Sequence, residues 1–485
     1  MNVSPDQAVP EAFAVRRRQT AEAQRVVAAQ RTEWIARRGY YYNLMRRALA
    51  FLVEPGGKVL NVRSQTGWML EAMHPSEGVG MEITGEMNEV ARRQHPQFRY
   101  VEGFPDVDQV EGVFDTILVA DPGETADLQQ ELENLRRNCH RATRLLIYAY
   151  NPLWESLLKF AVRLGWKMPL PEQSWLDTTD FEGLLKLSGF ELVKVHHLAL
   201  LPIRVPLLSR FCNEVLSGIP FLRRLSMIRI FVARPVPETA EPSRHTVSVI
   251  IPCLNEEGNI AQAVKRVPDL GAGTELIFCN DKSTDGTRSE IERMIREHPE
   301  KNIRCIEGPG EGKSRNVWVG FRAAKGEILA ILDADLTVMP EELPRFVDAL
   351  TRNHGEFING SRLVYPVPRH AMKVTNMAGN IVFSWLFSLL LGQRIKDTLC
   401  GTKVLWRSDW QRMEKYIDFW GVRDRWGDYD LLLGAAKLHL RIIDLPVHYR
   451  ERVHGISKMT RVLRNAATML TIMWCASRKM RRHRQ

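Results

Sequence analysis

Two aspartates, Asp333 and Asp335, end the apolar stretch ILAILDADL at residues 328–336. A short apolar run of this kind predicts a buried strand. Because side chains alternate along a strand, residues i and i+2 share a face, so both carboxylates are expected in one crevice. Hard cations such as Mg²⁺ or Mn²⁺ take carboxylate and phosphate oxygens as ligands. The pair therefore predicts a cation site beside a phosphate group, although Asp-x-Asp also caps strands and helices.

Three segments upstream of this strand also place polar residues after apolar runs. TVSVIIPCLNEEGNI (246–260) and ELIFCNDKSTDGT (275–287) predict strands that lead into acidic turns. GPGEGKSRNVWVGFRAAKG (308–326) predicts a glycine-rich loop that opens a helix, with Lys313 and Arg315 at an N-terminus that favours phosphate. Ligands of open α/β sheets bind outside the carboxyl ends of the strands, so these ends together suit a nucleotide-sugar.

The chain from Thr246 to Met459 resembles family-2 glycosyltransferases with the GT-A fold. It is most similar to the branch of dolichol-phosphate mannose synthases and bacterial polyprenyl-phosphate glycosyltransferases. Asn280 departs from the family pattern, which has an acidic residue there. The motifs that carry the resemblance are, in order, PCLNEE, NDKSTDGT, GKSRN, DADL, NGSR, KDTLCGTK and YRERVHGISKM.

The resemblance implies an inverting transfer, a single in-line displacement at the anomeric carbon. It assigns the Mg²⁺ or Mn²⁺ to Asp335, with help from Asp333, where the metal neutralises charge on the leaving nucleoside diphosphate. The residues that it assigns to the donor nucleotide are Pro252, Asn255, Glu256, Asp281, Lys313 and Asp333.

The acceptor side is implied by two basic segments. Arg362 in NGSR resembles the family arginine that grips an acceptor phosphate, with Lys373 and Arg369 near it, and a solvated surface arginine is the alternative. The motif after Tyr449 resembles the family's diphosphate-binding loop, and its candidate residues are Arg450, Arg452, His454, Ser457 and Lys458.

The need for a general base depends on the acceptor. A polyprenyl phosphate is largely dianionic at neutral pH and requires no strong base, whereas a saccharide hydroxyl requires a carboxylate. The candidates are Asp397 in KDTLCG and Asp428 and Asp430 in WGDYDLL, with Asp397 ranked first. Helix capping is the alternative role of the last two.

Charge and amphipathic pattern point to an anionic membrane surface as a further partner. The net charge is +10, and no nucleic-acid-binding module is present. The apolar segment 376–392 carries a polar stripe spaced by four and is too short to span a bilayer. The basic segment 461–485 predicts an interfacial helix, with core or dimer helices as the alternative to both assignments. Its predicted apolar face comprises Val462, Ala466, Met469, Leu470, Met473 and Trp474.

The first half of the chain alternates apolar strands with helical patterns, which predicts a Rossmann-like sheet. The strands are KVLNV, GVGMEI, FDTILVA, RLLIYAY and FELVKVHHLALLP, and their order resembles class I S-adenosylmethionine-dependent methyltransferases over residues 40–201. Gly67 and Glu82 match the family's cofactor loop and ribose-binding acid. Asn61, Arg63 and Gln65 replace its acidic residue and two glycines, so loss of methylation and retained cofactor binding both stay open.

We therefore predict two Rossmann-like α/β domains with interfacial amphipathic helices. Seven scattered cysteines and the lack of an apolar N-terminal run favour a cytoplasmic protein associated peripherally with the membrane. A saccharide-specific glycosyltransferase, a methyltransferase with a partner domain, and a non-catalytic nucleotide-binding scaffold are the rival hypotheses. The predicted boundaries are a helical extension at 1–39, a methyltransferase-like domain at 40–233, a linker at 234–245, a glycosyltransferase domain at 246–460 and a basic helix at 461–485.

Overall fold

The computed structural model describes residues 5–169, 173–236, 244–365, 374–452 and 462–482. The chain forms two compact units, an N-terminal unit of residues 1–237 with 480–485 and a C-terminal unit of residues 238–479. Each unit contains one seven-stranded mixed sheet with helices, so the predicted fold class of two α/β sheets is confirmed.

The N-terminal sheet consists of parallel strands and one antiparallel strand. Its strands are β1 (Lys58–Val62), β2 (Glu77–Glu82), β3 (Arg99–Glu102), β4 (Phe114–Ala120), β5 (Cys139–Tyr150), β6 (Phe190–Leu198) and β7 (Ile228–Pro235). They are ordered β3-β2-β1-β4-β5-β7-β6, and β7 runs antiparallel to both of its neighbours. All five predicted strands are present. Strands β3 and β7 were not predicted, and β7 is buried along its whole length.

Two apolar cores cover the faces of this sheet because side chains alternate along its strands. Val59 and Leu118 belong to one core, and Leu60 and Ile117 to the other. The helices of the unit are α1 (Pro5–Arg37), α2 (Gly39–Leu52), α3 (Trp68–Met73), α4 (Gly85–Gln94), α5 (Leu128–Arg136), α6 (Glu155–Arg163), α7 (Thr178–Leu187), α8 (Leu208–Arg210) and α9 (Pro220–Arg223).

The C-terminal sheet has the order β10-β9-β8-β11-β13-β12-β14, with β13 antiparallel to both neighbours. Its strands are β8 (Thr246–Cys253), β9 (Gly273–Asn280), β10 (Asn302–Glu307), β11 (Ile328–Ile331), β12 (Phe357–Ser361), β13 (Lys403–Trp406) and β14 (Ile442–Pro446). Its helices are α10 (Glu257–Arg266), α11 (Thr287–Glu297), α12 (Lys313–Ala323), α13 (Leu343–Thr351), α14 (Val374–Leu391), α15 (Arg407–Met413), α16 (Asp428–Lys437) and α17 (Val462–Arg482).

Strands β8, β9 and β11 are parallel, with β8 in the middle, so their carboxyl ends meet at one edge of the sheet. Strand β11 ends at Ile331, earlier than predicted, and the two aspartates lie in the turn that follows it. The backbone N–H of Leu336 closes this turn on the carbonyl of Asp333, at 3.0 Å. The expected alignment of both carboxylates by strand alternation is therefore wrong, because a turn brings them together.

The apolar face predicted for the C-terminal helix is also wrong as a single face. In α17, Met469 is 3% exposed and packs inward with Ile472 and Ala476, whereas Leu470 and Trp474 are 52% and 61% exposed. The packing therefore divides the apolar residues between an inner and an outer side.

In the part of the chain that the structure describes, no helix combines the length and apolarity needed to cross a membrane.

Candidate active site

The turns after β8 and β9 are joined by hydrogen bonds between their polar side chains. The Asn255 side-chain oxygen accepts from the Thr284 backbone N–H at 2.8 Å, and Glu257 accepts from that of Gly286 at 3.1 Å. In return, the Glu257 backbone N–H donates to Asp285 at 3.3 Å. Asn255 adopts a φ of 55°, a conformation that asparagine tolerates better than most residues. These contacts fix the mouth of the crevice.

Asp281 holds the glycine-rich loop against the end of β9. Its two carboxylate oxygens accept from the backbone N–H groups of Gly310 and Gly312, at 2.7 and 3.0 Å. A side chain at Gly308 would lie 2.8 Å from Asp281, so the close approach requires glycine. The loop then delivers Lys313 as the first residue of α12. Asp281 therefore positions the loop at the end of β9, and its role in donor binding stays a prediction.

The acidic turn after β11 is held by two ion pairs. Lys313 contacts Asp333 at 2.5 Å, and Arg452 contacts Asp335 at 2.8 Å. Burial and the neighbouring Asp333 raise the pKa of Asp335. Burial acts in the same direction on Asp333, but Lys313 outweighs it and lowers the pKa of that carboxyl. The turn therefore gathers two carboxylates and two cations.

The polar segment at the start of β13 packs against this cluster. A side chain at Gly401 would lie 2.2 Å from Asp333 and 2.6 Å from the Lys313 ammonium, so only glycine fits there. Lys403, which is fully buried, contacts Asp428 at 2.5 Å. The KDTLCGTK motif therefore packs directly against the acidic turn, a proximity across about 70 residues of sequence that only the fold creates.

Asp397 and Arg362 form a buried, bidentate ion pair. The Arg362 guanidinium donates to both Asp397 oxygens at 2.8 and 2.9 Å, and Asn380 adds a bond at 2.7 Å. The backbone N–H groups of Arg362 and Leu399 each donate at 3.0 Å. Although burial opposes ionisation, these donors lower the pKa of Asp397 to about 2. A carboxylate with five hydrogen bonds and so low a pKa is a poor base, which argues against ranking Asp397 first among the candidate bases.

The start of α16 depends on a residue that the sequence interpretation missed. Asp424 accepts from the backbone N–H groups of Tyr429 and Asp430, at 2.8 and 3.2 Å, and so caps the helix. Burial, together with Asp424 and Asp418, raises the pKa of Asp430 to about 8. Asp424 itself precedes a helical pattern by a few residues, which was the available signal.

The remaining predicted site residues lie on the acceptor side, on the donor side or outside the described ranges. The backbone N–H of Arg450 donates to the Thr337 carbonyl at 2.8 Å, which places Arg450 beside the acidic turn. On the donor side, Glu256, directly before α10, accepts from Asn259 at 2.8 Å. Pro252 lies one residue before the end of β8. The predicted residues that lie outside the described ranges are Arg369, Lys373, His454, Ser457 and Lys458.

The acidic turn fits a hard divalent cation by its chemistry. Asp333 and Asp335 offer carboxylate oxygens, and a cation between them would oppose the effect of burial and of Asp333, which together raise the pKa of Asp335. Among the described residues no cluster of three His, Cys, Asp or Glu surrounds a single point. Further oxygen ligands would therefore come from the donor diphosphate.

The loop after β1 has the positive φ angles that are typical of glycine, but two of these positions carry large side chains. Arg63, Gln65 and Gly67 all have positive φ, at 55°, 56° and 81°, where the methyltransferase pattern has three glycines. The Arg63 side chain is 2% exposed and makes a bidentate pair with Glu131 at 2.6 and 3.0 Å. Arg63 and Gln65 thus occupy the space that the glycines would leave beside the backbone.

Glu82, the acid that matches the family's ribose-binding residue, is buried beside the same loop. Glu82 is 1% exposed and accepts from the Gln65 backbone N–H. Burial raises the pKa of Glu82 to about 8, so the carboxyl is mostly protonated at neutral pH. Helix α1 adds to the cover, since Gln24 donates to Glu124 at 2.9 Å. These residues do not fit S-adenosylmethionine.

We expect the full-length protein to show no saturable binding of labelled S-adenosylmethionine in equilibrium dialysis at millimolar concentration. The physical reason is that Arg63 and Gln65 carry side chains where the cofactor requires bare backbone. Binding of a nucleoside diphosphate in the same preparation controls for folded protein. A saturable methyl-donor isotherm in the micromolar range would contradict this account of the loop.

Comparison with known proteins places the two halves differently. Residues 248–429 match the family model of glycosyl transferase family 2. An uncharacterized glycosyltransferase of Mycobacterium tuberculosis is 28% identical over 230 residues, which are 47% of this chain and 96% of that protein. A dolichyl-phosphate hexose transferase of Haloferax volcanii is 27% identical over 206 residues, 42% of this chain and 83% of that protein.

The first half is similar in structure to methyltransferases. A putative methyltransferase of Haloferax volcanii, solved with its Trm112 activator, covers 43% of this chain and 96% of its own, at 17% identity and a TM-score of 0.35. The resemblance predicted for the second half is confirmed by the family match. The C-terminal unit is a glycosyl transferase family 2 domain, and the chain is a glycosyltransferase.

Proposed function

We propose that the protein transfers a hexosyl group, with inversion, from a nucleotide-sugar to a polyprenyl phosphate at a membrane surface. The observation that carries this proposal is the orientation of α14. Its polar residues Asn380 and Ser384 are each 3% exposed and turn inward, whereas Ile381 and Trp385 are 53% and 61% exposed. A helix that exposes its apolar side suits contact with lipid.

The inner side of this helix is joined to the acceptor arginine. Asn380 donates to Asp397, and Asp397 holds Arg362 by two hydrogen bonds. The Arg362 guanidinium also lies 5.2 Å from the centre of the Tyr449 ring. Our proposal is that Arg362, a fixed and permanently charged arginine, binds the phosphate of a lipid whose chain contacts the outer side of α14. The dolichyl-phosphate hexose transferase relative supports the same class of acceptor.

The donor would lie at the carboxyl ends of β8, β9 and β11. Lys313 and Arg452 are suited to hold the diphosphate, because each is a cation that its ion pair places at the acidic turn. A bound Mg²⁺ or Mn²⁺ would supply Lewis-acid neutralisation of the charge that develops on the leaving group. The acceptor phosphate oxygen forms the new bond to the anomeric carbon as the bond to the nucleoside diphosphate breaks.

The ionisation of the candidate bases favours a phosphate acceptor. Asp397 has a pKa of about 2, and Asp430, with a pKa of about 8, is mostly protonated at neutral pH. Asp428 is bound to the buried Lys403. Asp397 is therefore a poor base at neutral pH and a phosphate dianion needs none, whereas Asp430 is the carboxyl that a hydroxyl acceptor would use.

We expect release of nucleoside diphosphate, screened over UDP- and GDP-sugars with a polyprenyl phosphate, to rise through about pH 6 and then level off. This is where the second ionisation of a phosphate monoester lies. Asp430→Asn is the matched control and should leave the profile unchanged. A rate that keeps climbing above pH 7, and that loses this limb in Asp430→Asn, would instead favour a hydroxyl acceptor with a carboxylate base.

A further inference from the structure

The segment between β6 and β7 in the N-terminal unit is packed with its polar side inward. Ser209, Asn213 and Ser217, spaced by four residues, are each 3% exposed. Leu207 and Phe211, on the outer side, are 86% and 50% exposed. The usual arrangement of a surface segment in a globular protein is the opposite.

Hydrogen bonds hold this orientation. Asn213 donates to the Leu201 carbonyl at 2.9 Å and to the Tyr40 hydroxyl at 3.0 Å, and its oxygen accepts from the Leu201 N–H at 3.0 Å. Ser209 donates to the Ile203 carbonyl at 2.7 Å. Turning the apolar side inward would break these hydrogen bonds and take Asn213 away from the Leu201 backbone groups, so the exposure of the apolar side is built into the fold.

Helix α6 and the residues around it extend the same surface. Trp154 donates from its indole nitrogen to the Leu225 carbonyl at 2.7 Å, and Asn151 donates to the Arg224 carbonyl at 2.8 Å, so the two segments lie side by side. In α6 itself no residue is buried. We call the combined surface the apolar patch. Its exposed large side chains are Leu153, Leu157, Phe160, Leu164, Trp166, Ile203, Leu207, Leu208, Phe211, Val215, Ile219, Phe221 and Leu225.

The charges around the apolar patch identify its partner. Residues 151–169 and 201–227 contain seven basic and two acidic residues. Both acidic residues are already paired within their own segments, Glu155 with Lys159 at 2.6 Å and Glu214 with Arg210 at 2.7 Å. An apolar face of Leu, Phe and Trp surrounded by an excess of arginine and lysine is the composition of an interfacial membrane contact.

We infer that the apolar patch inserts into the interface of an anionic lipid bilayer, so that the methyltransferase-like unit acts as a membrane-docking module. The basic residues would lie at the head groups while the leucine and phenylalanine side chains enter the acyl boundary. This inference rests on the proposed function only in assuming a membrane as the site of action, and it assigns a role to a unit whose methyl-donor cradle is filled.

The test is co-sedimentation of the full-length protein with vesicles of phosphatidylcholine alone or mixed with phosphatidylglycerol. Wild type is expected to bind the mixed vesicles, and Phe211→Ser/Phe221→Ser to lose about tenfold or more of its partition coefficient, because two large apolar side chains no longer leave water. Val26→Ser/Leu187→Ser, which changes exposed apolar residues elsewhere in this unit, should bind like wild type.

Equal binding by the two double variants would overturn the inference. So would a dimer, seen by light scattering without lipid, that becomes monomeric only in Phe211→Ser/Phe221→Ser, because a second copy would then cover the patch. Sugar transfer to a detergent-solubilised acceptor should be the same in wild type and variant. Failure of that transfer in wild type would count against the proposed function and leave the vesicle result to decide the docking role.

Discussion

Replacing Asp333 or Asp335 by asparagine is expected to lower kcat for sugar transfer by about 10²–10³-fold, the usual effect of losing one electrostatic stabiliser of a transition state. Asparagine keeps the shape of each side chain and removes its charge. The variants would weaken cation binding beside the donor diphosphate, and wild type treated with a chelator should fall to a similar rate. Initial rates with saturating donor measure the effect.

The fold should tolerate these two substitutions. Burial and Asp333 raise the pKa of Asp335, so Asp335→Asn relieves repulsion within the turn, and Lys313, which loses its partner in Asp333→Asn, is 30% exposed and reaches solvent. Asp348→Asn is the matched control, because Asp348 is an exposed residue of α13 that pairs with Arg352 at 2.6 Å. Full activity in both acidic-turn variants, with a chelator also without effect, would remove the metal from the proposal.

Asp397→Asn is expected to destabilise the C-terminal unit by about 3–5 kcal/mol, the cost of leaving a buried charge without its partner. Asp397 is fully buried, and Arg362, whose side chain is only 12% exposed, would lose one of its two carboxylate acceptors. In thermal unfolding this amounts to a lower Tm by roughly 10 °C for a unit of this size. The exposed pair of Asp348 provides the comparison, since Asp348→Asn should cost under about 1 kcal/mol.

A double variant separates ion-pair loss from general damage. Arg362→Met combined with Asp397→Asn removes both charges, so it should be less destabilised than the sum of the two single variants. If Asp397→Asn unfolds within about 1 kcal/mol of wild type, the buried pair does not stabilise the acceptor side in the way described here.

The sequence predicted the chemistry of this site better than its geometry. Asp333 and Asp335 were found from an apolar run and a two-residue interval, but the turn that brings them together follows from the early end of β11 at Ile331. The pairing of Asp397 with Arg362 joins residues 35 positions apart, and local pattern carries no information on such contacts. Because the sequence could not show this pair, Asp397 was ranked as the first candidate base, whereas in the structure it holds Arg362 in place.

Helix faces show the same limit. The four-residue spacing of Asn380, Ser384 and Ser388 correctly predicted one polar stripe on α14, yet only the packing shows that this stripe turns inward. In α17 the apolar residues were assigned to one face, and the fold separates Met469 from Leu470. Strand β7 escaped prediction because its run IRIFVARP contains two arginines, which the structure buries.

The most direct test of the central claim is the fate of a labelled sugar. Purified protein, a divalent cation, a polyprenyl phosphate and the nucleotide-sugar that supports nucleoside diphosphate release are incubated, and the mixture is extracted with organic solvent. We expect label in the organic phase, equal in amount to the nucleoside diphosphate released, and its loss in Asp335→Asn. Equal release with all of the label in the aqueous phase would contradict a lipid phosphate as the acceptor.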